Sequence, residues 1–257
     1  MSGYKEHTPA QLFNEKDASR YEPWHRDIWH RIINVHHTVL TLEHLAQFPL
    51  DQVSTPSESV FWRTVARNSW HAVVTTLHGL LDDQQSDALT LPRLKNTMLQ
   101  FAWRIPEDKV EFQHALKAGR FDQGAEGLRE KAKNLRHRFF AHRFIDTETG
   151  TIKSAATIMN IEELRQLFDH VEKFFQVCSV GSHFETATME YSRDVTVAGK
   201  PQKLGVETVL EAVARSSYFV NEPERMAKWW PSMRERMNAT RLAELNRIRG
   251  QLGMPLV

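Results

Sequence analysis

The residues best suited to chemistry in this sequence form one short string near the middle of the chain. Residues 136–142 read Arg-His-Arg-Phe-Phe-Ala-His, so five residues separate Arg136 from His142. A histidine with an ordinary pKa of about 6.5 exchanges a proton near neutral pH, which suits it to general acid–base catalysis. An arginine offers a planar fork of N–H donors that matches the oxygens of a phosphate. The pair therefore suggests proton transfer beside a phosphoryl group.

A local excess of positive charge surrounds this string. Between Arg129 and Arg143 there are six lysine or arginine residues and two histidines against one glutamate. The whole chain has 33 basic and 32 acidic residues and a net charge of +1, so no global field attracts a nucleic acid. A nucleic-acid partner would have to bind this local patch. A solvated helix face is the alternative interpretation, and for a basic run taken alone it is the commoner one.

Other common catalytic and metal-binding patterns are absent from the sequence. Its 13 histidines include no His-Glu-x-x-His pair, and the single cysteine, Cys178, excludes an internal disulfide and a multi-cysteine zinc site. His36 and His37 are neighbours on a helix and point about 100° apart. His71 and His78 share a helix face but have no carboxylate between them at ligand spacing. We interpret these four histidines as structural or surface residues, and we expect no metal and no cofactor.

The string resembles the signature of the HEPN superfamily (higher eukaryotes and prokaryotes nucleotide-binding). In that signature an arginine is followed by a polar residue and, after a short spacer, by a histidine. Here the spacer has five residues and His137 occupies the polar position. The end of the string, Phe140 to Arg143, is most similar to the abortive-infection, AbiU-like branch. The order of a long helix, the string, a β-prone segment and an amphipathic helix extends the resemblance over about residues 20–180.

This resemblance implies a metal-independent endoribonuclease that acts as a toxin or antiphage effector. His142 would take the proton of a ribose 2′-hydroxyl, whose oxygen attacks the adjacent phosphate and leaves a 2′,3′-cyclic phosphate and a 5′-hydroxyl. Arg136 would hold the phosphate oxygens as their charge grows. His137 would complete the catalytic set by orienting one of these residues or by binding substrate. Flanking phosphates of the RNA would be bound by three more cations: Lys133, Arg138 and Arg143.

The partners implied by the resemblance are RNA and a second copy of the chain. Proteins that bind RNA sequence-specifically usually recognise unstacked, single-stranded nucleotides. By family analogy, a tRNA loop is therefore the expected substrate. On one regular helix Arg136 and His142 would point about 120° apart, which does not bring both to one phosphate. A homodimer with a composite site would solve this, because a two-fold axis places the same patch of each protomer face to face. An antitoxin is a further candidate partner.

Helical periodicity dominates the segments that must position the string. We predict an all-α, HEPN-like bundle of four to five main helices with a short β-prone hairpin and a helical C-terminal extension. In the helix that carries the string, Leu128, Ala132, Leu135 and Phe139 form the inward stripe. The predicted helices cover residues 21–46, 57–81, 92–103, 108–118, 123–143, 161–180, 205–220, 223–230 and 232–252, with hairpins or turns around 146–150 and 195–201.

Length and composition fit one large globular domain with an extension. The chain has 257 residues, of which 41 % are apolar and 25 % are charged, so a true hydrophobic core is expected. We divide it into a polar N-terminal segment (1–19), the HEPN-like bundle (20–182) and a mainly helical extension (183–257). No stretch approaches the roughly 18 uninterrupted apolar residues that span a bilayer, and the first 17 residues are too polar for a signal peptide. We therefore expect a cytoplasmic protein with no membrane partner.

Three functions remain open at this point. The first is an RNA-cleaving HEPN protein that acts as a toxin or in phage defence. The second is a non-catalytic HEPN-fold module that binds RNA or a nucleotide at the same site. The third is a helical interaction protein in which Arg136 and His142 only stabilise a helix end, where the backbone dipoles favour cations. Fold alone does not decide between these functions.

Overall fold

The computed structural model describes residues 3–82, 88–121, 124–136, 159–181, 196–197, 200–201 and 205–257. Within these ranges the chain is almost entirely helical, which confirms the predicted all-α class. In chain order the described elements are α1 (Gly3–Glu6), α2 (Pro9–Leu12), α3 (Glu15–Gln47), α4 (Leu50–Val53), α5 (Pro56–Leu81), α6 (Leu91–Gln100), α7 (Pro106–Gly119), α8 (Glu126–Asn134), α9 (Ile161–Cys178), β1 (Thr196–Val197), β2 (Lys200–Pro201), α10 (Gly205–Ser216), α11 (Tyr218–Asn221), α12 (Pro223–Arg236) and α13 (Ala239–Gln251). None of the described helices combines the length and the apolar character needed to span a bilayer.

The chain divides into two compact units, and each unit combines segments that are distant in sequence. The first unit consists of Met1–Val39 and His71–Ser192. The second consists of Leu40–Trp70 and Arg193–Val257. The long helices α3 and α5 therefore contribute residues to both units. The predicted linear division at residue 182 stays a prediction.

Helix α9 supplies much of the apolar core of the first unit. Asn160 caps its N-terminus: the Asn160 side chain accepts a hydrogen bond from the Glu163 backbone N–H (2.9 Å), and the Glu163 carboxylate accepts one from the Asn160 N–H (3.0 Å). This reciprocal capping box satisfies donors that a helix start would otherwise leave unpaired. The predicted amphipathic character of this helix is confirmed, since its apolar face is buried: Leu164, Leu167, Phe168, Val171, Phe174 and Phe175.

Buried polar groups connect α3 to the end of α9. The Tyr21 hydroxyl donates to the Cys178 carbonyl (3.1 Å) and accepts from the Val180 N–H (2.9 Å). His25 Nε2 lies 2.8 Å from the Ser179 hydroxyl. Burial raises the pKa of the Tyr21 phenol and raises that of the Cys178 thiol to about 12. The Tyr21 phenol and the Cys178 thiol therefore stay neutral at physiological pH, and the Tyr21 hydroxyl acts as a hydrogen-bonding anchor within the core.

The second unit has its own hydrophobic core. Ser217 Oγ donates to the Val53 carbonyl (2.8 Å), and the Arg241 guanidinium lies 2.8 Å from the Asp51 carboxylate. The strands β1 and β2 form an antiparallel pair in which Thr196 lies opposite Pro201, at the position of the predicted hairpin around 195–201. The buried apolar residues come from both sequence segments of the unit: Leu45, Phe48, Leu50, Val53, Leu210, Ala214, Val220, Trp230, Met237, Leu245 and Ile248.

Several predicted helix ends are wrong, and local contacts explain the differences. The helix predicted to reach residue 103 ends at Gln100, because Phe101 is extended and the Trp103 indole N–H donates back to the Met98 carbonyl (2.8 Å). Near the C-terminus we predicted a break before residue 232, but α12 continues through Pro231. The break falls at Asn238, whose side chain caps α13 by accepting from the Arg241 N–H (2.9 Å).

Candidate functional site

Arg136 and Lys133 are the predicted site residues that the structure describes. His137, Arg138, His142 and Arg143 lie outside the described residues, as do Phe139 and the hairpin predicted around 146–150. The roles given to these residues therefore stay predictions. The site is built here from α8, from the last turn of α5 and from α9.

Helix α8 presents the predicted apolar stripe to the core of the first unit. Ala132 and Leu135 are completely buried, as expected, and Leu128 is half-buried. After Asn134 the hydrogen-bonding pattern changes, and Leu135 and Arg136 lie in a π-helical turn, while the dihedral angles of Leu135 (φ −59°, ψ −50°) stay in the α region. Turns of this kind are rare and occur frequently at functional sites.

The Arg136 side chain contacts a histidine of another helix. Its Nη1 atom lies 3.0 Å from Nδ1 of His78, which is in the last turn of α5. A guanidinium only donates hydrogen bonds, so Nδ1 of His78 is the acceptor and the neutral imidazole carries its proton on Nε2. The Asp82 carboxylate lies 4.0 Å from the same Nδ1 atom. The side chains of His78 and Asp82 are only 12 % and 13 % exposed, so this cluster is largely shielded from water.

A second arginine of α8 reaches the same turn of α5. Arg129 Nη2 donates to the Leu81 carbonyl at 2.8 Å. The last carbonyls of a helix lack partners within the helix and carry its partial negative charge, so they favour a cation. Arg129 and Arg136 are seven positions apart, about two helical turns, and both contact the C-terminal end of α5. The two arginines together fix the position of α8 against α5.

The two lysines of α8 differ in their surroundings. Lys131 forms an ion pair with Glu163 of the α9 capping box. That hydrogen bond, together with the one from the Asn160 N–H, lowers the pKa of the Glu163 carboxyl. Lys133 lies 3.7 Å from Glu130 one turn earlier, in a pair whose side chains are 49 % and 59 % exposed. Such exposed pairs contribute little free energy, so Lys133 can exchange Glu130 for a phosphate at small cost.

A second basic surface lies between α7 and α9 in the first unit. Its groove of about 610 Å³ is lined in part by Lys5, Phe121, His170 and Lys173. His170 Nε2 donates to the Phe121 carbonyl at 3.2 Å. Burial lowers the pKa of His170, and the cations Arg129 and Lys173 lower it further. Among the described residues, no group of three or more histidine, cysteine or carboxylate side chains comes together as a metal site.

Sequence reasoning missed His78, Asp82 and Arg129 as parts of the site. The sequence favours a structural or surface role for His78, because no carboxylate lies between it and His71 at ligand spacing. Two spacings were available as signals: His78 and Asp82 lie four positions apart, and Arg129 and Arg136 lie seven apart, so each pair shares a helix face. Neither spacing indicates which helix faces which. The contact joins residues 58 positions apart in sequence.

Comparison with known families identifies one match. The model of a HEPN family described as AbiU2 matches residues 22–197, well over half of the chain. The matched range includes α8, the Arg136–His142 string and α9. It confirms the resemblance to the AbiU-like HEPN branch that the string suggested. No curated protein and no solved structure matches the chain significantly.

Proposed function

The chain belongs to the AbiU2 family of HEPN domains, and from that premise we propose that it is a metal-independent endoribonuclease. The observation that carries the proposal is the position of Arg136. The arginine that begins the family-like string lies at the end of a basic helix and is held by the hydrogen bond that it donates to His78 of a neighbouring helix. An arginine fixed in this way can present its planar fork of donors to a phosphate without first having to be ordered.

In the proposed reaction His142 removes the proton from a ribose 2′-hydroxyl. The 2′-oxygen attacks the adjacent phosphorus, the bond to the 5′-oxygen breaks, and that oxygen leaves with a proton supplied by the site. The products are a 2′,3′-cyclic phosphate and a 5′-hydroxyl. Arg136 stabilises the negative charge that grows on the phosphate oxygens. His137 orients one of these groups or binds substrate, and Lys133, Arg138 and Arg143 bind flanking phosphates.

The proposal includes a homodimer with a composite site. A two-fold axis beside the string would place Arg136 of one protomer near His142 of its partner, which supplies both groups to one phosphate. The substrate is single-stranded RNA, with a tRNA loop as the first to test. In the cell this activity would serve as a toxin or in phage defence, held in check by an antitoxin.

The test is cleavage of labelled total RNA in EDTA by the wild-type protein and by the variants His142→Ala and Arg136→Ala. Matched controls are His114→Ala on α7 and Arg215→Ala on α10, which change exposed residues of the same types outside the site. We expect cleavage that resists EDTA, leaves 2′,3′-cyclic phosphate ends and is lost in both site variants but in neither control.

Three results would contradict the proposal. Cleavage that survives in both site variants would show that the activity lies elsewhere or in a contaminant. RNA binding without cleavage by the wild-type protein would favour the non-catalytic binding module instead, and neither binding nor cleavage would favour a helical interaction protein.

A further inference from the structure

The contact between Arg136 and His78 joins an irregular turn to a regular, packed helix. His78 belongs to the last turn of a long helix whose neighbouring residues Leu77 and Leu81 are buried. Arg136 instead lies in the π-helical turn that follows α8. A hydrogen bond of 3.0 Å connects the two. The packed helix α5 therefore holds His78 in place, and His78 orients the arginine that follows α8.

The bond specifies the protonation state of His78. Because Arg136 can only donate, the bond requires a lone pair on Nδ1 and therefore a neutral imidazole with its proton on Nε2. A doubly protonated His78 would lose the bond and would place a second cation against the guanidinium. The Asp82 carboxylate lies 4.0 Å from Nδ1, and a hydrogen-bonded ion pair at that nitrogen would need a proton on it. The bond from Arg136 excludes that proton, so His78 acts here as an acceptor.

We propose that His78 is a positioning residue for the ribonuclease site: its Nδ1 atom holds the Arg136 guanidinium in the orientation that receives the scissile phosphate. This inference rests on the proposed function. Its physical basis is preorganisation, since a donor fork that is already oriented stabilises transition-state charge without reorganising at the moment of reaction. A catalytic group that is misplaced by about 1 Å can cost a hundredfold in rate. Arg136 touches the substrate, and His78 acts through Arg136.

The side-chain chemistry of asparagine and glutamine gives a sharp test. In His78→Asn the amide oxygen occupies the position of Nδ1, whereas in His78→Gln the acceptor lies one bond farther along the side chain, near the position of Nε2. His78→Leu keeps the bulk and removes the acceptor. His71→Asn, seven residues earlier on the same helix and exposed, is the control. The measurement is kcat and KM for cleavage of a defined RNA in EDTA.

We expect kcat to fall about tenfold to a hundredfold in His78→Leu and His78→Gln. KM should change little, because the other cations still bind the phosphates of the RNA. His78→Asn should recover most of the lost kcat, and His71→Asn should match the wild type. A purely structural role for His78 would not separate Asn from Gln in this way. Denaturant unfolding of each variant shows whether a loss of rate follows a loss of stability. Should His78→Leu fail to fold, the comparison of Asn with Gln decides.

The failures of the two proposals give different results. Wild-type protein without cleavage overturns the ribonuclease function, and this inference falls with it. Wild-type cleavage with His78→Leu as active as the wild type overturns the positioning role alone. A measurement independent of activity is the ¹⁵N spectrum of the imidazoles, with His78 assigned by its absence in His78→Asn. We expect an unprotonated Nδ1 that shifts in Arg136→Ala, and a protonated Nδ1 near pH 7.5 would overturn the inference.

Discussion

Arg129 donates a hydrogen bond of 2.8 Å to the backbone carbonyl of Leu81 and so places a cation on the C-terminal end of α5. The same turn of α5 contains His78, the partner of Arg136. The two contacts come from α8 and from the π-helical turn that follows it. Arg129 is thus well placed to fix the distance between α8 and α5, and the contact of Arg136 with His78 depends on that distance.

Replacing Arg129 by methionine tests the first of these contacts. The variant keeps an unbranched stem but leaves the Leu81 carbonyl without this donor, so we expect a loss of about 1 kcal/mol in the free energy of unfolding. We also expect slower RNA cleavage, because Arg136 loses the fixed spacing between its helix and α5. Urea denaturation and cleavage kinetics measure the two effects. Arg26→Met, at an exposed position of α3, is the matched control, and an unchanged stability in Arg129→Met would contradict the prediction.

Replacing Arg136 by lysine separates charge from geometry. Lysine keeps the positive charge but lacks the planar fork, and it cannot both bond His78 and grip a phosphate in two places. We expect kcat to fall about tenfold or more, while the affinity for RNA and its dependence on salt change little. Cleavage kinetics and a binding titration at two salt concentrations measure this. Arg215→Lys in the second unit controls for the exchange itself, and a fully active Arg136→Lys would show that charge alone suffices.

Mixing two inactive variants tests the composite site. If each site takes Arg136 from one protomer and His142 from its partner, a heterodimer of Arg136→Ala and His142→Ala contains one intact site. Random exchange of subunits should then restore roughly a quarter of wild-type activity, because half of the dimers are mixed and each has one working site of two. Cleavage measured before and after co-refolding gives the answer. Failure to recover activity, with mixed dimers present by light scattering and mass spectrometry, would place both residues of a site in one protomer.

The lowered pKa of His170 predicts a pH dependence of stability. Burial and the nearby cations Arg129 and Lys173 disfavour the charged imidazole in the folded protein. The unfolded chain therefore binds more protons in the range from the ordinary histidine pKa of about 6.5 down to the lower pKa of the folded protein. Stability is fully present above that range and falls as the pH falls through it. Burial also lowers the pKa of His36, so this residue contributes to the same loss of stability as the pH falls.

Exchanging His170 for glutamine should make this pH dependence shallower. Glutamine keeps a donor for the Phe121 carbonyl but does not titrate, so the variant should lose less stability than the wild type between about pH 7.5 and 5.5. Urea denaturation at several pH values measures the slope. His114→Gln, at an exposed position of α7, should follow the wild type. Equal slopes for His170→Gln and wild type would show that His170 titrates alike in both states.

Much of the fold could be predicted from the sequence, because helix capping and helix amphipathicity depend on residues that are close together in the chain. The Asn160 capping box and the apolar face of α9 could be read from spacing, since both depend on residues within a few helical turns of one another. The buried positions Ala132 and Leu135 on α8 followed from the same periodicity. The string at residues 136–142 led to the correct family for a similar reason, because a signature of consecutive residues is a linear pattern.

The parts that could not be predicted depend on contacts between distant segments. His78 gives no sign in sequence that Arg136 is its partner, because nothing local specifies which helices pack together. The π-helical turn at Leu135 and Arg136 likewise has no compositional signal. Near the C-terminus, a capping residue marks the boundary between two helices better than a proline does. Asn238 caps the start of α13, two residues after α12 ends at Arg236, whereas Pro231 lies inside a helix that continues, with Trp230 buried beside it.

The discontinuous make-up of the second unit has a consequence for how the protein is made. Residues 40–70 leave the ribosome long before residues 205–257, yet Phe48 and Val53 are buried in a core shared with Leu210 and Leu245. Translation therefore exposes a set of apolar side chains whose covering helices do not yet exist, a state that favours aggregation or capture by chaperones. A fragment ending at residue 192 would keep that state permanently, and we expect its soluble yield to fall well below that of the whole chain. Translational pauses before residue 205 would then lengthen the vulnerable period in the life of each new molecule.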